Sequence, residues 1–227
     1  MNLAKKAKEK LGDLICSHCY ACKGMYLFPN VKNALEAKAN FVTESLRKDK
    51  GDTFVNEICG QIEKAYFKKG VKKQLKNCNT DLFRVHDSGD LFNAAYIDCW
   101  VRIAKRFPTV SFWVPTREHV RPDQLPHLQK LSALPNVVVR PSALKIDEPA
   151  PMVEGLDAGT AVYTDEAKAK VDGHMICPAT IHAHRMGKKA WAATDKKERA
   201  KLSSCAGNNC QACFLKGCQK PKAYMAH

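Results

Sequence analysis

Apolar side chains recur at helical spacing early in the chain, then change to short runs broken by polar turns. Val31, Leu35, Ala39, Val42 and Leu46 predict a helix over Asn30–Lys48, with Asn30 as its cap. Phe54, Ile58, Ile62, Ala65 and Tyr66 share one face of a second helix over Asp52–Lys69. Gly70 marks its break, unless Val71–Leu75 extends it. From "DLFRVHDSGD" the period changes. Leu82–His86 predicts a strand that ends in a polar turn, and a helix follows over about Ala94–Phe107, stopped by Pro108. Val110–Val114 is a strong strand, Pro122–Leu134 a helix with Pro122 near its first position, and "NVVVRPS" a further strand. "GTAVYTD" and "GHMICPA" give two more short strands. Asp195 and Glu198 have capping-box spacing for a short helix over Asp195–Leu202. "KIDEPAPMVEGLDAG" reads as a surface loop. The tail from Cys205 reads as irregular, held by something other than a core.

Strands alternating with helices imply βαβ units and a mainly parallel sheet. The fold class expected is α/β: an incomplete (β/α) barrel-like parallel sheet with a cysteine-rich C-terminal segment. The 227 residues fit one domain. Within it, residues 1–30 carry an N-terminal cysteine motif, 78–176 a βα core and 177–227 the cysteine-rich segment. No internal repeat is present. Parallel sheets gather reactive side chains at the carboxyl ends of their strands. His86–Asp90, Pro115–Arg117 and Arg140–Ser142 fall there.

Composition narrows the setting. Hydrophobic residues make up 45% of the chain, enough for a core. No apolar run approaches the ~20 residues of a membrane helix, and "MNLAKKAKEKLGDLIC" lacks the apolar centre of a signal peptide. A soluble, cytoplasmic protein without a membrane partner is expected. A formal net charge of +14 favours anionic partners, nucleic acid among them, although a solubilising lysine-rich surface explains it equally simply. No RGG run, homeodomain pattern or C₂H₂ finger spacing accompanies the charge.

Eleven cysteines are an odd number, which argues against a complete disulfide framework, and clustered thiols in a reducing compartment point to metal. Cys205, Cys210 and Cys213 form C-x₄-C-x₂-C, and Cys177, followed by Pro178, can supply a fourth thiolate. Cys218 is a spare that can replace one of the four. Four thiolates complete a [4Fe–4S] cluster or a zinc site. The irregular spacing and the distant Cys-Pro favour iron–sulfur, and a thiolate-ligated cluster is itself an anion suited to basic surroundings. Cys16, Cys19 and Cys22 give C-x₂-C-x₂-C. They either hold a second cluster with one open iron, or lend Cys16 and Cys19 to a closed site with Cys210 and Cys213. Cys59 and Cys99 lie within helical patterns and read as small buried apolar residues, while Cys78 stands alone.

His86, Asp87, Ser88 and Asp90 are the densest polar group at a predicted strand end. They can contact a substrate or cofactor, with His86 and Asp90 as acid–base candidates. The alternative is a turn in which Asp87 and Asp90 cap the next helix and Gly89 permits an unusual dihedral. Arg117 and Arg140 can bind a carboxylate or phosphate, or form surface ion pairs. His182 and His184 follow Cys177 and are either solvent-exposed or donors beside the metal. Neither a Ser-His-Asp arrangement nor a phosphate loop is present, and "GDLFN" and "GLDAG" are too poor in glycine for nucleotide binding.

Taken together, "CSHCYACKG…FPNV", "RVHDSGDLFNAAYIDCW", "FWVPTRE" and the late "CPAT…C…C..CF" resemble the phage proteins of the gene product eighty-eight family, from about Cys16 to Phe214. The organisation also looks like the radical S-adenosylmethionine fold, with its early cysteine motif, βα units and late cysteine group. That likeness implies S-adenosylmethionine as a candidate ligand, with Ser88, Gly89 and Asp90 at the turn that would hold it. The early spacing departs from the usual C-x₃-C-x₂-C of those enzymes. Two functions follow as expectations. One is a phage-type iron–sulfur protein with one or two [4Fe–4S] clusters and a redox partner, acting in the host cytoplasm, with catalysis left open. The other is a zinc-stabilised basic protein that binds nucleic acid without catalysis.

Overall fold

The computed structural model describes Ile15 and residues 24–72, 81–86, 88–204 and 207–226. Its elements are α1 (Pro29–Asp49), α2 (Asp52–Tyr66), β1 (Phe67–Lys68), β2 (Val71–Lys72), β3 (Leu82–Arg84), α3 (Ala94–Arg106), β4 (Ser111–Thr116), α4 (Leu125–Ser132), β5 (Val137–Pro141), β6 (Thr160–Tyr163), α5 (Glu166–Val171), β7 (Met175–Ile176), α6 (Pro178–Ala193), α7 (Lys196–Leu202) and β8 (Lys222–Met225). The architecture is mixed α/β with small parallel sheets. One sheet has the order β3-β4-β5 and another the order β6-β8-β7, all pairings parallel. A single parallel bridge, Ser142 to Thr160, links the end of β5 to the start of β6. Among the described residues, no helix is long and apolar enough to cross a membrane.

Several boundaries differ from the periodic reading for local reasons. The cap of α1 is Phe28 rather than Asn30, without a side-chain bond, because Pro29 occupies the first helical position with its φ preset. Helix α2 ends at Tyr66 instead of Lys69. Lys69 and Gly70 both take positive φ, +50° and +77°, so Phe67–Lys72 closes as a two-residue hairpin rather than a longer helix. Helix α4 begins at Leu125, not Pro122, after a one-turn 3₁₀ segment over Glu118–Val120. Asp195 does cap α7, accepting from the N–H groups of Lys197 and Glu198. The tail, expected to be irregular, ends in β8, the central strand of its sheet. That strand is only four residues long and opens with Lys222, so it leaves almost no apolar signature. Helices α5 and α6 were likewise not indicated by periodicity; a positive-φ Gly187 breaks α6 internally.

Strand alternation gives the sheets two unlike faces. Phe112, Val114, Val137 and Val139 pack with Phe54, Ile97, Trp100 and Ile103 of α2 and α3 in the main core. Ala161, Tyr163, Ala223 and Met225 build a second core with Ala169 of α5 and with Ile181 of α6 packed against it. Cys59 and Cys99 are fully buried in the main core, as their helical setting implied. Positions of the opposite parity do not join these cores. In register they are Arg84, Trp113 and Val138, then Pro115 and Arg140, and in the other sheet Thr160, Lys222 and Met175, with Val162 beside Tyr224. This second face carries the charged residues Arg84, Arg140 and Lys222, with Trp113 and Tyr224 among them.

Two glycines test the packing with opposite signs. Gly51 joins α1 to α2 at φ +86°, and a Cβ there would overlap Cys99 Sγ and stand 3.2 Å from Leu46. Gly60 lies on the exposed side of α2 with open space around it. Gly51→Ala is expected to lower stability by about 1–3 kcal/mol through strain and overpacking, whereas Gly60→Ala raises it by about 0.5–1 kcal/mol. Urea unfolding midpoints of the two variants check the contrast.

Candidate metal centre

Cys177, Cys210 and Cys213 line one small cavity, together with Met175, Gln211, Ala212, Phe214 and Lys222. Each reaches it by a different route. Cys177 ends the β7 connection and is the N-cap of α6, where Pro178 starts the helix. Cys213 sits in a one-turn 3₁₀ segment over Ala212–Phe214, and Cys210 precedes it. None of the described cysteines is disulfide-bonded. Cys205, the remaining member of the late set, lies outside the described residues, as do Cys16, Cys19, Cys22 and Cys78. Among the described residues, no three His, Cys, Asp or Glu side chains already stand grouped as ligands of one ion.

What holds this segment is a buried guanidinium. Arg140 is 0% exposed. Its Nε donates to the Cys213 carbonyl at 3.1 Å, and Nη2 to the carbonyls of Ala212 and Leu215 at 3.2 and 3.3 Å. Nη1 donates to the Ala158 carbonyl at 2.5 Å. Neither a surface ion pair nor an anion contact describes this arginine; it pins the cysteine segment to β5. Asp157 secures the next residues: it accepts from Lys216 Nζ at 3.1 Å and from the Gly217 N–H at 3.3 Å, while also binding the Val139 N–H at 3.1 Å. Trp113 and Phe214 pack edge to face at 5.6 Å.

The electrostatics are one-sided. Lys222 is 1% exposed; its ammonium donates to the Lys220 carbonyl at 2.7 Å and lies 3.2 Å from Cys218 Sγ. Among the described residues, neither Lys222 nor Arg140 has a carboxylate at ion-pair distance. A buried cation without a counter-ion is costly, so anions belong here. Thiolates are the nearest candidates. Burial pushes the Cys213 thiol up, opposed by the Tyr224 hydroxyl 3.1 Å away and by Arg140. Burial acts on Cys218 in the same sense, but the Lys220 N–H and the Lys222 ammonium outweigh it and hold that thiol below its ordinary range.

The strand-end residues form a separate polar cluster. Asp90 is committed to the backbone: one oxygen accepts from the Thr116 hydroxyl and the Leu91 N–H, each at 2.7 Å, and the other from the Arg117 N–H at 2.7 Å. It ties the β3 turn to the end of β4, and Asn93 rather than Asp90 caps α3. Gly89 does take an unusual dihedral, φ +90°. Ser88 is described nearby, and Asp87 lies outside the described residues. His86 Nε2 meets the Tyr96 hydroxyl at 2.8 Å, and its Nδ1 has no partner among the described residues. Burial pushes the imidazoles of both His86 and His119 below their ordinary range. Ile15, which precedes Cys16, donates its N–H to the Leu144 carbonyl at 2.8 Å, and Arg117 Nε reaches the Ala143 carbonyl at 3.5 Å. Ile15 therefore lies beside the segment that follows β5.

His182 and His184 serve the scaffold. His182 meets Asn208 Oδ1 at 3.2 Å and His184 meets the Ala226 carbonyl at 3.0 Å. Asn208 in turn donates to the carbonyls of Leu202 and Ser204, tying itself back to the end of α7. Lys222, Tyr224, Trp113 and Phe214 were not singled out from sequence; the period-2 pattern of a recognised β8 would have placed the first two on the cysteine face. Arg140→Met should leave the Ala158, Ala212, Cys213 and Leu215 carbonyls without this donor and cost about 1–3 kcal/mol, the range for leaving a buried hydrogen-bonding group unsatisfied. Hydrogen exchange over residues 210–218 should accelerate well before exchange in β4 does.

The Gene product 88 family model matches residues 10–216. A relative, the Gene 88 protein of Mycobacterium phage D29, is 35% identical over 82 residues, covering 36% of this chain and 30% of that protein. No solved structure matches. The family match spans the βα core, both cysteine groups and the strand-end cluster, and on that extent the chain belongs to the Gene product 88 family.

Proposed function

We propose that this chain is an iron–sulfur protein whose late cysteines hold a [4Fe–4S] cluster. The observation that carries the reading is the pairing of three thiols around one cavity with two buried cations, Arg140 and Lys222, that have no carboxylate partners among the described residues. Cys177, Cys210 and Cys213 would be ligands, with Cys205 as the fourth and Cys218 as its substitute. The donor set fits: thiolates are the ligands such clusters take, and the cluster–thiolate unit is anionic. When bound, the cluster supplies one-electron transfer.

The protein's own residues set the conditions for that chemistry. Arg140 fixes the backbone of the ligand segment, and Lys222 offsets negative charge. The Tyr224 hydroxyl meets Cys213 Sγ, and hydrogen bonds to ligand sulfur raise reduction potential. Met175 and Phe214 help wall the cavity against water. The strand path is in keeping with an incomplete (β/α) barrel, since the order β3-β4-β5 continues through the Ser142–Thr160 bridge into β6-β8-β7. Cys16, Cys19 and Cys22 are the ligands for a second cluster on this reading, and the Ile15–Leu144 bond brings the chain to the strand ends where Asp90 and Arg117 lie. S-adenosylmethionine is the candidate for an open iron there, and an external electron donor is required for either cluster to turn over.

Anaerobic purification tests the reading. The protein should be brown, with a broad shoulder at about 400 nm and comparable iron and sulfide. Cys177→Ser, Cys210→Ser and Cys213→Ser should each lose that iron, while Cys59→Ser, in the helical core, keeps it. About four irons per chain indicate one cubane and about eight indicate two, with the second set lost in Cys22→Ser. Colourless protein carrying stoichiometric zinc would overturn the iron–sulfur assignment in favour of a zinc-stabilised basic protein.

A further inference from the structure

A second feature lies on the helical side of the C-terminal segment. Helices α6 and α7 form a hairpin around the Thr194–Asp195 turn and enclose an open cleft of about 410 Å³. That volume is in the range of small-ligand sites. Small residues, Ala179, Ala183 and Ala200, leave the space open, and Trp191 lines it with Lys196 and Arg199. No carboxylate lines it. Trp100 and Trp113 are buried, whereas Trp191 retains partial exposure and so presents ring surface to a ligand.

The charge around the cleft differs from that on the adjoining α5 surface. Lys168 is paired with Asp172, and Lys170 and Arg185 share Glu166, which they hold down at about 2. By contrast, among the described residues neither Lys196 nor Arg199 has a carboxylate at ion-pair distance. Residues 185–201 carry seven Lys or Arg against two acids, and one of those acids, Asp195, is used as a helix cap. A cleft with an aromatic side chain, two free cations and small walls has the elements of a site for a stacked base with its phosphates on the rim. Duplex DNA keeps its base faces stacked on each other, so a strand with accessible bases fits the tryptophan better. We propose that the α6–α7 cleft binds single-stranded nucleic acid, with a base against Trp191 and backbone phosphates on Lys196 and Arg199. This inference does not rest on the cluster: α6 begins at Cys177, but the cleft lining contains no cysteine.

Fluorescence anisotropy of labelled oligo(dT) and oligo(U), with the protein isolated as it stands, tests the proposal. Binding at 50 mM salt should weaken steeply by 200 mM, as phosphate contacts require. Trp191→Ala should weaken binding by at least about fivefold at fixed salt, the lower end of what base stacking contributes, and Trp191→Phe should restore part of it. Lys196→Ala with Arg199→Ala should reduce the salt slope by about 1–2. All these positions are partly or fully exposed on helices, so circular dichroism should show every variant folded. No binding, equal binding by wild type and Trp191→Ala, or equal affinity for oligo(dT), heparin and phosphatidylglycerol vesicles would overturn the proposal, since the last two results leave only diffuse charge.

Discussion

The guanidinium of Arg140 sits beneath the cysteine segment and bonds four carbonyl oxygens from two parts of the chain. Three of those carbonyls belong to Ala212, Cys213 and Leu215, so the segment around Cys213 is positioned by a side chain from β5. A segment with so little apolar surface cannot hold its shape by burial alone. Arg140 substitutes directional bonds for a core, and Asp157 extends the same device to Lys216 and Gly217. Lys222 adds a second buried cation on the adjoining strand. The face that these residues share carries buried cations with no carboxylate at ion-pair distance among the described residues.

The two faces of the sheets thus divide the labour. Helices α2, α3 and α4 cover the apolar face of the first sheet, and α5 and α6 that of the second. These supply stability. The opposite face holds Arg84 over Trp113 at 4.9 Å, Arg140, Lys222 and Tyr224, and receives the cysteine segment. At the strand ends, Asp90 acts through hydrogen bonds to Thr116 and Arg117 rather than as a free carboxylate. It shapes the turn from which His86 and Arg117 project. Ile15 is bonded at the same edge, to the Leu144 carbonyl.

Much of the frame is legible in sequence because it is written in apolar periodicity. Helices α2 and α3 and strands β4 and β5 carry strong patterns, and the structure places them within a few residues of the expectation. The family is equally legible, since the resemblance rests on contiguous clusters such as the late cysteines and "RVHDSGD". What was hidden depends on long-range partners. Nothing local distinguishes Arg140, which is buried, from Arg117, which is half-exposed; only the arrival of Cys213 and Leu215 over β5 makes the difference. Strand β8 is four residues long and starts with a lysine, so its pattern is too short to read, yet it is the centre of its sheet. Gly187 broke the helical pattern of α6 and masked the α6–α7 cleft with it.

The central claim is that the buried cations Arg140 and Lys222 face a thiolate-bound cluster. Anomalous diffraction from anaerobically grown crystals, recorded on both sides of the iron and zinc edges, tests it most directly. The account predicts an iron peak bonded to Cys177, Cys210 and Cys213, with Arg140 on the carbonyls beneath it and Lys222 beside it. No metal peak in that cavity, or a zinc peak alone, would contradict the account.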